Sequence, residues 1–227
     1  MLLQALPNRR KRSLENVEFA PNDDITPGTV QPVVFSNDEG EPDVELMYWG
    51  FTFPTRFTFN TRSDSILKAG LWKNSFEERR CIVPADSFFE WKRLHKKNNP
   101  KYEITIKGRH PFGLAGIWSM WKNKAGDLLP TVSVITSEPN EPMAEVHTRQ
   151  PVILEPRDYN EWFSPSDRPP IHLLRIVPAD EMKIELVTTH SMQLPLNSAK
   201  WSTFFSFPVD TRRRNLFLTH GKQSESR

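Results

Sequence analysis

The sequence predicts an α+β fold: a single domain with a mixed, largely antiparallel β-sheet and a barrel-like core, flanked by helices. Three observations lead there. About eight short apolar or alternating segments are separated by polar turns, helical spacing is confined to a few places, and no internal repeat or long low-complexity tract interrupts them. The 227 residues suffice for one sizeable core. Twenty prolines against nine glycines point to many loops and broken elements.

The elements follow in order. Residues 1–18 read as a loosely ordered basic segment, 19–195 as the domain, and 196–227 as a divergent tail. "ITPGTVQPVVF" (25–35) leads into a strand ending near Phe35. After the polar turn "SNDEGEPD", "VELMYWGFTF" (44–53) is its hairpin partner. In "SILKAGLWKNSFEERR" (65–80), Ile66, Ala69, Leu71, Trp72 and Phe76 recur near helical spacing. "RCIVPADSFFEWKR" is strand, turn, strand, and "KKNNPK" (96–101) a hairpin turn. "YEITIK" (102–107) alternates as a half-buried strand does. "FGLAGIWSMW" (112–121) and "LPTVSVITS" (129–137) are strands joined by the turn "NKAGD". "EPNEPMAEVH" (138–147) suits a short helix, "PVILE" (151–155) a strand and "EPRDYNEWF" (155–163) a helix start. "HLLRIVPAD" and "IELVTTH" return the chain toward the sheet.

The bulk numbers limit the function classes. A net charge of +2 permits a nucleic-acid partner without demanding one. One cysteine excludes an intramolecular disulfide framework and suggests a reducing compartment. No apolar run reaches the length of a membrane helix, and "MLLQALPNRRKRS" has its charge on the wrong side of too short an apolar stretch for a signal peptide. Arg9, Arg10, Lys11 and Arg12 form a nuclear address, a phosphate-binding arm or a solvated tail. His and Cys are too scattered for a metal site, and no cofactor is expected.

Four stretches set polar residues in apolar frames. In "FNTRSDS", Asn60 and Arg62 are two apart and share a face if extended, where an amide and a guanidinium grip a phosphate or carboxylate. In "SFFEW", Glu90 stands among rings that disfavour its charged form. Thr136 ends a strand just before a helix, and His147 closes that helix. His and Glu are the usual acid–base pair. Each residue also has a structural alternative. Glu90 could be paired with an arginine, His147 could be a surface or capped residue, Asn60 and Arg62 could be a turn with its ion pair, and Thr136 could be a helix cap. The seven tryptophans could be core or base-stacking platforms.

Taken in order, "YWGF", "FNTRSDS", "RRCIVPADSFFEWK", "FGLAGIW", "SVITSEPNEPMAEVHTRQPVIL" and "EWF" are similar to the successive motifs of the SOS-response-associated peptidase family, which includes the abasic-site processing proteins. The resemblance covers roughly residues 20 to 190 and is most specific over 79–92 and 131–154. It implies a partner, single-stranded DNA carrying an abasic site, bound by a monomer without a membrane in the nucleus or cytoplasm. It implies an N-terminal cysteine whose amine attacks the opened sugar and whose thiol closes a thiazolidine, a covalent protein–DNA cross-link. By motif match Asn60 and Arg62 hold the DNA backbone, Glu90 shuttles protons, His147 acts as acid–base and Thr136 lines the pocket.

The chain departs from that pattern at both ends. The family begins Met-Cys-Gly-Arg, whereas this sequence begins Met1-Leu2-Leu3-Gln4 and its only cysteine is Cys81, in an apolar strand. The stretch before "PNDDITPGT" is short, and the family's closing Val–Asn segment is at best echoed in "LPLNSAK" (194–200). Intact middle motifs between altered ends predict an alternative gene model or transcript in place of gradual decay. Four readings stay open: an abasic-DNA enzyme whose cysteine lies outside this chain, a single-stranded-DNA-binding module without the chemistry, a thiol hydrolase pairing Cys81 with His147, and a protein-binding scaffold. An α-amine alone can also form an imine with an aldehyde, so a cysteine-free intermediate belongs beside the first two.

Overall fold

The computed structural model describes residues 25–188, except 69, 95–98, 124 and 165–167. Within them the chain forms β1 (Val30–Ser36), β2 (Pro42–Trp49), β3 (Phe51–Thr52), β4 (Phe57–Thr58), β5 (Asn60–Arg62), α1 (Gly70–Glu78), β6 (Arg80–Ala85), β7 (Phe88–Trp91), β8 (Lys101–Ile106), β9 (Phe112–Lys122), β10 (Leu128–Ser137), α2 (Glu141–Ala144), β11 (Gln150–Pro151), β12 (Ile153–Leu154), α3 (Tyr159–Phe163) and β13 (Met182–Leu186). The basic segment, the tail and half of the 96–101 turn lie outside the described residues. No helix among the described residues is long and apolar enough to cross a membrane.

Five strands close a ring in the order β10–β2–β1–β6–β9 and back to β10. Every join is antiparallel except β2 to β10, where Tyr48 and Trp49 run parallel to Thr131 and Val132. Strand alternation sorts the side chains between two faces. Val33, Phe35, Met47, Cys81 and Val132 converge inside the ring. Val34, Ile82, Ala115, Ile117 and Ile135 pack outward on Phe76 of α1 and Trp162 of α3. Buried Arg80 ties these helices down, donating to the carbonyls of Phe76, Glu77, Trp162 and Ser164 at 2.7 Å each.

Several elements are more broken than the sequence suggests. The strand expected over 44–53 stops at Gly50, whose φ of +122° breaks the extended run. A side chain there would strike the Phe57 ring, which a Cβ would approach to 2.2 Å. The helix expected over 65–80 spans only Gly70–Glu78, with Ile66 buried in the preceding turn. The 138–147 helix is a single turn, Glu141–Ala144. The 151–155 strand is split, because Val152 turns aside to bond Ile135 O and so parts β11 from β12. Residues 171–173 and 179–181 are 3-10 turns. β13 joins not the ring but a second, three-stranded sheet, β13–β8–β7.

Candidate active site

The site lies where β10 outruns the ring. Beyond Val134, β10 has lost β2 and β9 as neighbours. It pairs with β5 on one side, Thr136 opposite Arg62, and with β11 on the other, Thr136 opposite Pro151. Thr136 therefore sits between the Asn60–Arg62 strand and the segment that carries His147 and Arg149. In β5, Thr61 points inward to Ser133 (Oγ1–Oγ 2.8 Å), so Asn60 and Arg62 share the outward face as their spacing requires. Asn60 Oδ1 is buried with no hydrogen-bond partner.

Arg62 meets Asp64 through two bonds, Nε to Oδ1 at 3.1 Å and Nη2 to Oδ2 at 2.5 Å. The guanidinium holds the Asp64 carboxyl down at about 2 and has its own pKa raised. Arg149 reaches the same Asp64 Oδ2 at 3.5 Å and donates through its other arm to Thr136 O at 2.6 Å. Burial, then the neighbouring Arg62, pushes the Arg149 pKa down, opposed by Asp64.

His147 lies three residues past the end of α2 instead of closing it. Its Nδ1 is 3.2 Å from Arg149 N and 3.0 Å from Arg149 O. The tautomer decides which is bonded: a bare Nδ1 accepts from the amide, and a protonated one donates to the carbonyl. Facing it at 3.8 Å is Glu90 Oε1. Glu90 comes from β7 in the second sheet, and Lys92, on the same face of that segment, meets Glu145 at 3.6 Å. Both side chains of the pair are about three-quarters buried, and burial raises the Glu90 pKa despite the opposing charge of His147. Glu90 thus faces a histidine, and the charge of Arg93 acts on it in the same direction more weakly.

Asn140 holds the loop. Its Oδ1 caps α2 by accepting from Met143 N at 3.0 Å, its Nδ2 donates to Val177 O at 2.9 Å, and its amide donates to Gln150 Oε1 at 2.9 Å. The cap role considered for Thr136 therefore belongs to Asn140. Thr136 instead donates to Thr61 O at 3.4 Å, joining β10 to β5.

Cys81 is no part of the site. It is fully buried in the ring, its Sγ against Gly116, and burial pushes its thiol pKa well up. A thiol with no exposed, electropositive setting is not a nucleophile, so the pairing of Cys81 with His147 is corrected. Trp162 is a core residue and Trp72, partly buried, packs against the same core, whereas Trp91 is about half exposed.

The structure connects Arg62, Thr136 and His147 through Arg149 and brings Glu90 to His147. Arg149, Asp64 and Asn140 were missed. Arg149 stands two residues after His147, the same spacing that singled out Asn60 with Arg62, and that was the available signal.

The family model described as SOS response associated peptidase (SRAP) matches residues 3–193. The chain is 31% identical over 193 residues to the abasic site processing protein YoaM of Bacillus subtilis (strain 168), covering 81% of this chain and 85% of YoaM. Against the abasic site processing protein HMCES of Xenopus tropicalis it is 26% identical over 229 residues, covering 85% and 67%. A crystal structure of a protein from Bacteroides thetaiotaomicron aligns with a TM-score of 0.61 at 26% identity, covering 71% of this chain and 75% of that one. A phage-related protein from Bordetella bronchiseptica shares the fold, with a TM-score of 0.62 at 23% identity over 84% and 95% of the two chains. With the motifs, the ring and the family match in agreement, the chain belongs to the SOS response associated peptidase family.

Proposed function

We propose that this protein binds single-stranded DNA at an abasic site and handles the protons of imine chemistry on the opened sugar. The observation that carries the proposal is the Glu90–His147 pair, 3.8 Å apart and about three-quarters buried, with His147 on the loop that also carries Arg149 of the guanidinium cluster. The cationic side, with Arg62 and Arg149, suits the phosphodiester backbone. Asn60 and Thr136 flank it at the end of β10.

The chemistry needs a primary amine presented to the C1′ aldehyde. The amine nitrogen adds to the carbonyl carbon and gives a carbinolamine. A protonated Glu90 or His147 donates to the hydroxyl, water leaves, and the C=N bond forms as nitrogen gives up its proton to the same pair. A carboxyl whose pKa is raised by burial both donates and accepts nearer neutrality than an exposed one. Closing a thiazolidine requires a thiol beside that amine. Cys81, buried in the ring, does not supply that thiol. This same observation favours a second reading, a single-stranded-DNA-binding module without covalent chemistry. A DNA substrate implies work in the nucleus or cytoplasm.

The test is a denaturing gel of the protein with single-stranded DNA bearing one abasic site, with and without borohydride, against undamaged DNA. A shifted band that needs borohydride supports the imine reading. No band, with salt-sensitive binding on a native gel, leaves the binding module; no binding at all overturns both.

A further inference from the structure

We propose that Asp64 is a positioning residue, its carboxylate holding Arg62 and Arg149 as one two-armed anion clamp beside Thr136. The inference rests on the DNA-binding reading above and assigns the part that sets its geometry.

Arg62 alone with Asp64 would be an exposed ion pair of little consequence, since the Arg62 side chain is 63% exposed. The second arginine changes the argument. Oδ2 of Asp64 lies 2.5 Å from Arg62 Nη2 and 3.5 Å from Arg149 Nη1, which holds the two nitrogens within about 6 Å, where like charges repel without a carboxylate between them. Arg149 has little freedom to escape. Its side chain is mostly buried and its other arm is fixed on Thr136 O. Asp64 is anchored too, in the 3-10 turn Ser63–Ser65 directly after β5. One carboxylate thus spans two elements, the β5 turn and the loop before β11. It fixes both guanidiniums at the end of β10, where Arg62, bonded to Asp64 through Nε and Nη2 and 63% exposed, keeps Nη1 for a phosphate oxygen, while Arg149 Nε lies buried without a partner behind it.

Two roles for Asp64 predict opposite signs. As a bystander charge it only repels DNA, and removing it strengthens binding to every strand alike. As a positioning residue it costs general affinity but sets the fork that reads the backbone at the lesion.

The experiment measures Kd across a salt series for a labelled single-stranded oligonucleotide carrying one tetrahydrofuran abasic analogue and for its undamaged twin. It uses the wild type, Asp64→Asn and Asp64→Glu, with circular dichroism to confirm folding. We expect Asp64→Asn to bind the undamaged strand about threefold tighter, with one negative charge gone, and to lose about tenfold of the preference for the abasic strand as the fork splays. Asp64→Glu should keep most of that preference. If Asp64→Asn gains affinity equally on both strands, or keeps the wild-type preference, the positioning role is overturned. A wild type that binds neither strand overturns the DNA-binding reading itself and this inference with it, a different result from wild-type binding with an indifferent variant.

Discussion

Glu90 Oε1 and His147 Nδ1 face each other at 3.8 Å across the gap between the second sheet and the loop after α2, wider than a hydrogen bond. The two groups share an electrostatic field without being locked to each other, which leaves each with capacity for a third partner.

That arrangement has a stability signature. Burial raises the Glu90 pKa above its unfolded value, so the native state holds the proton more tightly. The associated stability is fully present below the unfolded carboxyl range, about 4.3, and is lost as pH rises through the raised value. Glu90→Gln removes the cost of the buried charge. It should melt above the wild type at pH 8 and level with it at pH 4, by differential scanning calorimetry. Equal curves at both pH values would show that burial does not govern this carboxyl.

Cys81 gives a second prediction. Buried in the ring against Gly116, its thiol should resist a thiol reagent in the native protein and react fully in denaturant. Cys81→Ala should leave DNA binding unchanged. Rapid native labelling would contradict the packing.

Arg80 is a structural keystone with no place in the site. Its guanidinium satisfies four carbonyls at the ends of α1 and α3. Arg80→Ala strands those acceptors and should cost about 3 kcal/mol or more in urea unfolding. A loss under about 1 kcal/mol would mean that water replaces the side chain without penalty.

Asn140 couples stability to the site. Replacing it with alanine removes the α2 cap and the bond to Val177 O, with an expected cost of about 1–3 kcal/mol. Because the same residue shapes the loop bearing His147 and Arg149, Asn140→Ala should also weaken binding to abasic single-stranded DNA. Asp or Ser at 140 should restore part of the cap. Unchanged affinity despite the lost stability would separate the loop from the site.

Much of this was legible in the sequence because it is local. Alternation in 102–107 and the apolar runs at 112–121 and 129–137 mark strands that the fold then uses, and the two-residue spacing of Asn60 and Arg62 correctly anticipates a shared face. What failed was long-range or subtle. Gly50 breaks a strand because the Phe57 ring occupies the space of its missing side chain, a contact that periodicity does not report. The α2 helix is short because Asn140 starts it late and the chain then turns to deliver His147. Asp64 stands inside "FNTRSDS", but its second partner, Arg149, lies 85 residues away and no local pattern links them.

The parallel join of Tyr48 and Trp49 to Thr131 and Val132 has a consequence for the nascent chain. The β1–β2 hairpin leaves the ribosome early, but its ring neighbour follows many residues later. At about 5–20 residues per second, the outer edge of β2 waits for seconds with its amides and carbonyls unpaired. A polypeptide stalled before Leu128 lacks the strand that closes the cylinder. The newborn protein, more than the finished one, is where this architecture is open to strand-to-strand aggregation and to the help of a chaperone.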